Sequence, residues 1–428
     1  MSIMNPVPST FASAVTQTIW VAAITVCGLA AGCQTSGPAP LPERPPAIAS
    51  AISYEQAIDH AVNDLLIQAQ RLPEFQPAAP ASPLTAVFQK EQAPPAKPRI
   101  ALDSALDGIT GQQTVATRIL DQRLLDGVRT RFPGFQVSPI STGELATARF
   151  ILTTVLTALD RGQDKTVTHR ISLSLTDNRN GIVVAQSAAR ATGETVDITP
   201  TSFFRDSPSL VKDRTVEGQI RTSQTAAGKP ADDVYLANLS VVALIAEGSR
   251  LYEAGQYAES LALYETAAAR PDGKHLRIYN GAYLSNIQLG RMDAAEQVFG
   301  RLVLLGLTTN SLSIKFLFKP ASTDFWPDPK INAVYPMWVR VLARESAAAK
   351  ACITIAGHSS RTGTELANDR LSLQRAMAVQ KRLEVAAPDM VGRLQSIGVG
   401  FRENLIGTGS DDARDTLDRR VDFRVHGC

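Results

Sequence analysis

Arg375 is the prominent cation of a helical stretch, NDRLSLQRAMAV (368–379), that follows the polar turn GHSSRTG (357–363). Asn368, Ser372, Arg375 and Val379 are spaced three and four residues apart, so they share one side of a helix. A helix N-terminus with free loop amides favours an anion, and a guanidinium adds a planar fork that grips a carboxylate through two bonds. The chemistry offered is therefore a hold on a carboxylate. A catalytic alternative is poorly supplied. His358 stands beside Ser359, but adjacent residues rarely present a base and a nucleophile to each other. The five histidines, His60, His169, His275, His358 and His426, are scattered without metal-ligand spacing. No nucleophile elbow, phosphate-binding loop or dinucleotide fingerprint occurs, so the chain reads as a non-enzyme with no cofactor and no metal.

The surrounding elements follow from the residue pattern. SIKFLF (313–318) reads as a strand, PKINAVYPMWVRVLARESAAAK (329–350) as a helix, and CITIAG (352–357) as a second strand. A helix over 365–385 and the strands RLQSIGVG (393–400) and RRVDFRV (419–425) complete a βαβαββ order. GHSSRTG, NDRLSLQRAMAV, GVGF (398–401) and DRRVDFRV (418–425), in that order and spacing, resemble the OmpA-like peptidoglycan-binding domain over residues 311–428. The resemblance implies non-covalent binding of the cell wall. It implies that Arg375 holds a carboxylate of the stem-peptide diamino acid, typically diaminopimelate. Gly357, His358, Ser359, Ser360, Asn368 and Ser372 would place that ligand. One departure stands out. The family has Thr-Asp after Gly-His, its Asp pairing with the ligand's ammonium, where this chain has Ser359-Ser360. Exchanging a charged acceptor for a hydroxyl costs about 1–2 kcal/mol, or changes the preferred ligand. Glu365 and Asp369 are the nearby carboxylates in sequence.

The N-terminus carries an address. Residues 19–32, IWVAAITVCGLAAG, form an apolar run of signal-peptide length ahead of Cys33, although residues 1–32 hold no Lys or Arg. LAAGC resembles a lipobox, which implies a signal over 1–32 and diacylation of Cys33. Gln34 in second place points, by the same resemblance, to the outer membrane with the chain facing the periplasm. Residues 33–98 read as a Pro/Ala-rich tether with one short amphipathic helix around Tyr54–Gln70. Two cysteines are left over, Cys352 and Cys428, each at a strand end. In an oxidising compartment they suggest a disulfide if their Cα atoms come within about 7 Å, the alternative being two separate buried thiols.

Residues 99–225 alternate strand and helix patterns, with a hairpin around Asn178–Gly181. They read as an α/β domain whose layout resembles lipoproteins of the curli-secretion and penicillin-binding-protein-activator type. Over 237–306 the pattern turns helical and repeats, Gly255 aligning with Gly290, Ser260 with Ala295 and Tyr264 with Phe299. That spacing resembles two tetratricopeptide hairpins, which implies a concave face able to take a partner peptide, or a packing module that leans on its neighbours. The fold class expected is multidomain: α/β, then all-α repeats, then α/β. At 428 residues, 44% hydrophobic and net charge +2, composition offers no global electrostatic case for a nucleic-acid binder. The leading expectation is an outer-membrane lipoprotein that binds peptidoglycan and tethers envelope components. The alternative is an assembly factor or regulator of a wall synthase or secretion machine.

Overall fold

The computed structural model describes residues 51–76, 97–159, 167–193, 196–319, 321–327, 329–407 and 414–428. The apolar run 19–32, Cys33 and most of the tether lie outside the described residues. No helix among the described residues is long and apolar enough to cross a membrane. The described residues belong to one compact unit, Ile48–Cys428.

The first sheet contains β1 (Arg99–Leu102), β2 (Leu106–Asp107), β3 (Gln136–Pro139), β4 (Phe150–Ala158), β5 (Thr168–Asp177) and β6 (Val183–Thr192). Its order is β3-β1-β4-β5-β6, with β2 paired to β4. β1 is parallel to both neighbours, and β4, β5 and β6 form an antiparallel meander. Two helices cover one face. α1 (Tyr54–Gln70) buries Ala57, Ile58, Ala61, Val62, Leu65, Leu66 and Ala69, and α2 (Val115–Arg131) buries Ala116, Leu120, Leu124 and Val128 in the same core. The other face packs Ala101 and Ile151 against Tyr235, Val242 and Ala243 from α6 (Asp233–Ala237) and α7 (Leu239–Glu253).

The helix at Tyr54–Gln70 is thus part of the α/β domain and not of a tether. Each Ile, Val or Leu side chain it buries contributes about 1.5–3 kcal/mol. Polar contacts fix its register on the sheet. Gln68 donates to the Gln186 carbonyl (2.9 Å) and accepts from the Gln186 amide (3.2 Å), while Ile52 exchanges backbone bonds with Arg190 and Thr192 along the outer edge of β6.

Four consecutive helices follow: α7, α8 (Tyr257–Ala268), α9 (Leu276–Gln288) and α10 (Met292–Thr308). Gly255 (φ +77°) and Gly290 (φ +72°) turn the chain between α7 and α8 and between α9 and α10, a left-handed conformation that glycine adopts without steric cost. Ser260 and Ala295 are fully buried at the crossings, as are Tyr264 and Phe299 one turn later. The first helix of each pair is covered by the chain itself. α4 (Ser202–Asp206) and the extended residues after it lie against α7 and α9. There Phe203 packs its ring on Tyr252 (5.7 Å between centres) and Tyr264 (6.1 Å), and Asn280 donates to Ser209 Oγ (3.0 Å).

The C-terminal sheet has the order β7-β10-β8-β9, from β7 (Leu312–Ile314), β8 (Cys352–His358), β9 (Leu394–Gly400) and β10 (Val421–His426). β10 is antiparallel to β7 and β8, and β8 is parallel to β9. The helix expected over 329–350 is two pieces, α11 (Pro329–Asn332) and α12 (Tyr335–Ala348). Pro336 sits in the first turn of α12, where its missing N–H costs nothing but the chain before it leaves the helix. The second long helix is α13 (Glu365–Ala386).

The helical pairs and this sheet share one hydrophobic core. Trp338 of α12 stacks on Phe299 (5.6 Å) and donates its indole N–H to Tyr283 Oη (2.8 Å). The free edge of β7 is covered by the 208–210 segment through Lys315 N to the Pro208 carbonyl (2.9 Å) and Leu210 N to the Ser313 carbonyl (3.3 Å). Cys352 and Cys428 form the disulfide, their Cα atoms 5.3 Å apart. The antiparallel register that sets Cys352 opposite His426 brings them together.

Candidate functional site

β8 ends on Gly357-His358 because α13 crosses close behind it. A Cβ on Gly357 would stand 2.1 Å from the Ser372 carbonyl oxygen, so no larger residue fits without moving the helix. Ser372 Oγ accepts from the Gly400 amide (2.9 Å) and donates to the Asp369 carbonyl (3.0 Å), which pins the end of β9 to α13. Thr364 caps the helix by accepting from Ala367 N (3.3 Å). Asn368 Nδ2 donates to the carbonyls of Thr362 (2.9 Å) and Thr364 (3.1 Å), holding the turn against the helix. Ser359 N donates to the Gly400 carbonyl (2.9 Å), and His358 N to the Arg420 carbonyl (3.0 Å).

The seven residues expected to form the site are therefore brought together, at the junction of β8, β9 and α13. They are also buried. Gly357 is covered, and His358, Ser359, Ser360, Asn368, Ser372 and Arg375 are each no more than 6% exposed. Asn368, Ser372 and the backbone of His358 and Ser359 build the turn. His358 Nε2 lies 2.8 Å from Asp422 Oδ2, tying the strand end to β10.

Arg375, which is 2% exposed, is held by a loop that precedes α11. Its Nε donates to the Ser322 carbonyl and its Nη2 to the Lys319 carbonyl, both at 3.1 Å, and its guanidinium carbon sits 5.0 Å from the centre of the Phe318 ring. The spacing that singled out Arg375 as a grip could not show that loop carbonyls already meet part of the fork. Beside this loop runs an open groove of about 860 Å³, lined by Ser322, Thr323, Gln374, Met377, Lys381 and Glu384 among others.

The exposed part of the turn is Arg361–Gly363. Arg361 projects its guanidinium over the Phe401 ring, 6.0 Å from its centre. Helical spacing does not single out this arginine, and the signal for it in the sequence is a cation within the polar turn GHSSRTG. The nearby carboxylates are occupied. Glu365 and Asp369 both pair with Arg402 (3.4 and 2.6 Å), and Glu403 pairs with Arg424 (2.6 Å). Asp418 accepts from the amides of Leu405 (2.6 Å), Ile406 (3.1 Å) and Gly407 (2.7 Å), and burial pushes its pKa up against those bonds.

Asp422 shows the opposite shift. Burial alone would raise its pKa, but His358, the Arg420 guanidinium and Ser313 Oγ together hold it well below the usual carboxylate range. His358, Glu403 and Asp422 are the grouping of described residues whose ligand atoms come within metal-binding distance of one another, all within 4.8 Å. Arg420 and Arg424 already neutralise its two carboxylates, so a cation would have to displace both guanidiniums.

No family model matches the chain, and no curated protein matches it. Several solved structures are similar to part of it. The peptidoglycan-associated lipoprotein from Burkholderia pseudomallei is 22% identical over 27% of this chain and 89% of its own, with a TM-score of 0.22. The OmpA-like domain of FopA1 from Francisella tularensis is 15% identical over 27% of this chain and 75% of its own, with a TM-score of 0.21. A putative MotB like protein from Desulfovibrio vulgaris is 18% identical over 32% of this chain and 96% of its own, with a TM-score of 0.23. The likeness thus reaches about a quarter to a third of the chain.

Proposed function

We propose that this chain is an outer-membrane lipoprotein that binds peptidoglycan non-covalently through residues 311–428 and tethers the wall to the other modules it carries. The reading is of a binder and not a catalyst. The observation that carries it is the convergence of the GHSSRTG turn, the α13 N-terminus and Arg375 at one junction, each held in place by the hydrogen bonds described above. A stem-peptide carboxylate reaches Arg375 by exchanging with the Lys319 or Ser322 carbonyl, which replaces a neutral acceptor by a charged one and so strengthens the bond. The groove between the 321–323 loop and α13 gives the rest of the peptide a place to lie.

The lipid anchor at Cys33 and the tetratricopeptide character of 237–306 belong to the same reading. Because the chain's own residues 201–211 cover α7 and α9, a protein partner would meet the outer helices α8 and α10. Tethering is thereby favoured over a regulator that works through a peptide groove.

Co-sedimentation with purified sacculi tests this, using the full chain, since residues 308–428 alone would expose the Trp338 face that packs on Phe299. Wild type is expected in the pellet. Arg375→Lys, which keeps the charge but loses the fork, is expected largely in the supernatant with its melting transition retained. A wild-type chain that stays in the supernatant, or a folded Arg375→Lys chain that pellets equally well, overturns the reading.

A further inference from the structure

The charges around the turn are unbalanced, and this bears on which part of a wall peptide the site reads. On the acidic side, the carboxylates described next to the turn are committed. Glu365 and Asp369 share Arg402, Glu403 has Arg424, Asp422 has His358 and Arg420, and Asp418 is filled by three backbone amides. At position 360, where a carboxylate would face an incoming ammonium, there is a serine that is 6% exposed. On the basic side, Arg361 is solvent-exposed, forms no ion pair among the described residues, and lies over the Phe401 ring. A guanidinium that rests over a ring keeps N–H groups free to donate to a carboxylate. Beside it, the buried Ser359 Oγ has no hydrogen-bond partner among the described residues, so the turn also holds a hydroxyl donor.

We propose that Arg361 is a second carboxylate-holding group, so that the site takes two carboxylates of a stem peptide, one on Arg375 and one on Arg361, and does not read the peptide's side-chain ammonium. This deepens the wall-binding reading and rests on it. A zwitterionic diamino acid head would bring its ammonium against a turn whose one uncommitted charge is positive. A peptide end that presents two carboxylates brings only attraction. Arg361 is a specificity residue in this scheme, and Arg375 remains the buried anchor.

The experiment is calorimetric titration of the full chain with three synthetic stem tetrapeptides. One is unmodified, one has the side-chain amine acetylated, and one has its carboxylates amidated. Acetylation is expected to leave Kd within about twofold, and amidation to weaken binding about tenfold or more. Arg361→Gln, at an exposed position that tolerates the change, should weaken the unmodified peptide about fivefold and leave the amidated one unchanged. Arg361→Lys should recover part of the loss. Ser360→Asp should make acetylation costly, because the chain then has a carboxylate for the amine to meet.

A wild-type chain that loses about tenfold on acetylation, or an Arg361→Gln chain that binds all three peptides as wild type does, overturns the proposal while wall binding stands. If none of the three peptides and no sacculus binds wild type, the wall-binding reading itself fails. Binding that is undiminished in Arg361→Gln but disappears in a folded Arg375→Lys chain assigns recognition to the anchor alone and also overturns the proposal.

Discussion

In the C-terminal sheet, buried Arg375 has two carbonyls and a ring, and Asp422 has Ser313, Arg420 and His358. In the N-terminal sheet, Asp103 has the Tyr235 hydroxyl (2.7 Å) and Asp121 has the Ala105 amide (3.0 Å), while the nearby Arg277 leaves Nε and Nη2 buried without an acceptor. The difference shows in the ionisation of the carboxylates. Asp422 is stabilised in its charged form. Asp103 and Asp121 are pushed up by burial to about 6 and about 7, Asp121 further raised by the charge of Asp103. Ionisable groups that fix the GHSSRTG turn are well supplied with partners, because a turn built from them keeps its shape only if no partner is missing. Those inside the first sheet carry an electrostatic cost that its large apolar core absorbs.

The strongest way to sharpen this contrast is to loosen the well-supplied sheet. Cys428→Ser opens a disulfide between residues separated by 76 positions, and the loss of chain-entropy constraint is expected to cost about 4 kcal/mol. Thermal unfolding of wild type under reducing and oxidising conditions, beside the variant, measures it. A reducing agent should lower the melting temperature of wild type to that of the variant and leave the variant unmoved. Equal melting temperatures in all conditions would mean that β8 and β10 are held without the bridge.

Asp422→Asn comes next. It leaves the Arg420 guanidinium without its counter-charge, and breaking a buried pair of this kind costs about 3 kcal/mol. The sign with pH follows from the lowered pKa. The stabilisation from Asp422 is complete above the unfolded value of roughly 4 and is lost as pH falls below it. Denaturant melts at pH 7 and pH 3 should therefore differ less in the variant than in wild type. An unchanged gap would assign acid sensitivity to other carboxylates.

The first sheet should respond with the opposite sign. For Asp103 and Asp121 the folded pKa is raised, so their contribution is fully present below roughly pH 4 and is lost as pH rises through about 6 and about 7. Asp121→Asn keeps an acceptor for Ala105 N and removes the charge. It is expected to flatten the fall in stability between pH 4 and 8 and to gain about 1–2 kcal/mol at pH 8. A variant whose pH profile parallels wild type would show that the carboxylate reaches solvent when ionised.

How much of this was legible in the sequence depends on how far each feature reaches along the chain. The turn, the helix behind it and the residues that fasten them, Asn368 and Ser372, lie within a few residues of each other, and their spacing alone grouped them. Tyr264 and Phe299, Gly255 and Gly290 were legible because a repeat compares the chain with itself. The burial of Arg375 was not, since its acceptors Ser322 and Lys319 stand 53 and 56 residues upstream in a loop with no motif of its own. Neither was the place of α1, whose Gln68 meets Gln186 across 118 residues. An amphipathic helix between Pro-rich stretches shows that it has a face to bury and says nothing about where. The α4 segment that covers α7 and α9 was invisible for the same reason.

The smallest expected effect lies where the two regions of the chain meet. Lys315 follows β7, is 8% exposed, and donates to the carbonyls of Phe204 (2.7 Å) and Arg205 (3.2 Å) at the end of α4. Burial lowers its pKa to about 7, with Asp206 opposing the shift. With the folded value depressed and the unfolded one near 10.4, the unfolded chain binds the extra proton between these limits, so stability rises as pH climbs from about 7 toward 10. Lys315→Met keeps the stem packed and gives up two bonds that a partly neutral amine makes weakly. The net change at pH 7 is expected within about 1 kcal/mol. The informative readout is the slope: wild type should gain stability between pH 7 and 9.5, and the variant should not. A variant that keeps the slope would place the titrating group elsewhere, and a loss well beyond that size at pH 7 would mean that this amine stays charged and joins the C-terminal sheet to α4 as an ion.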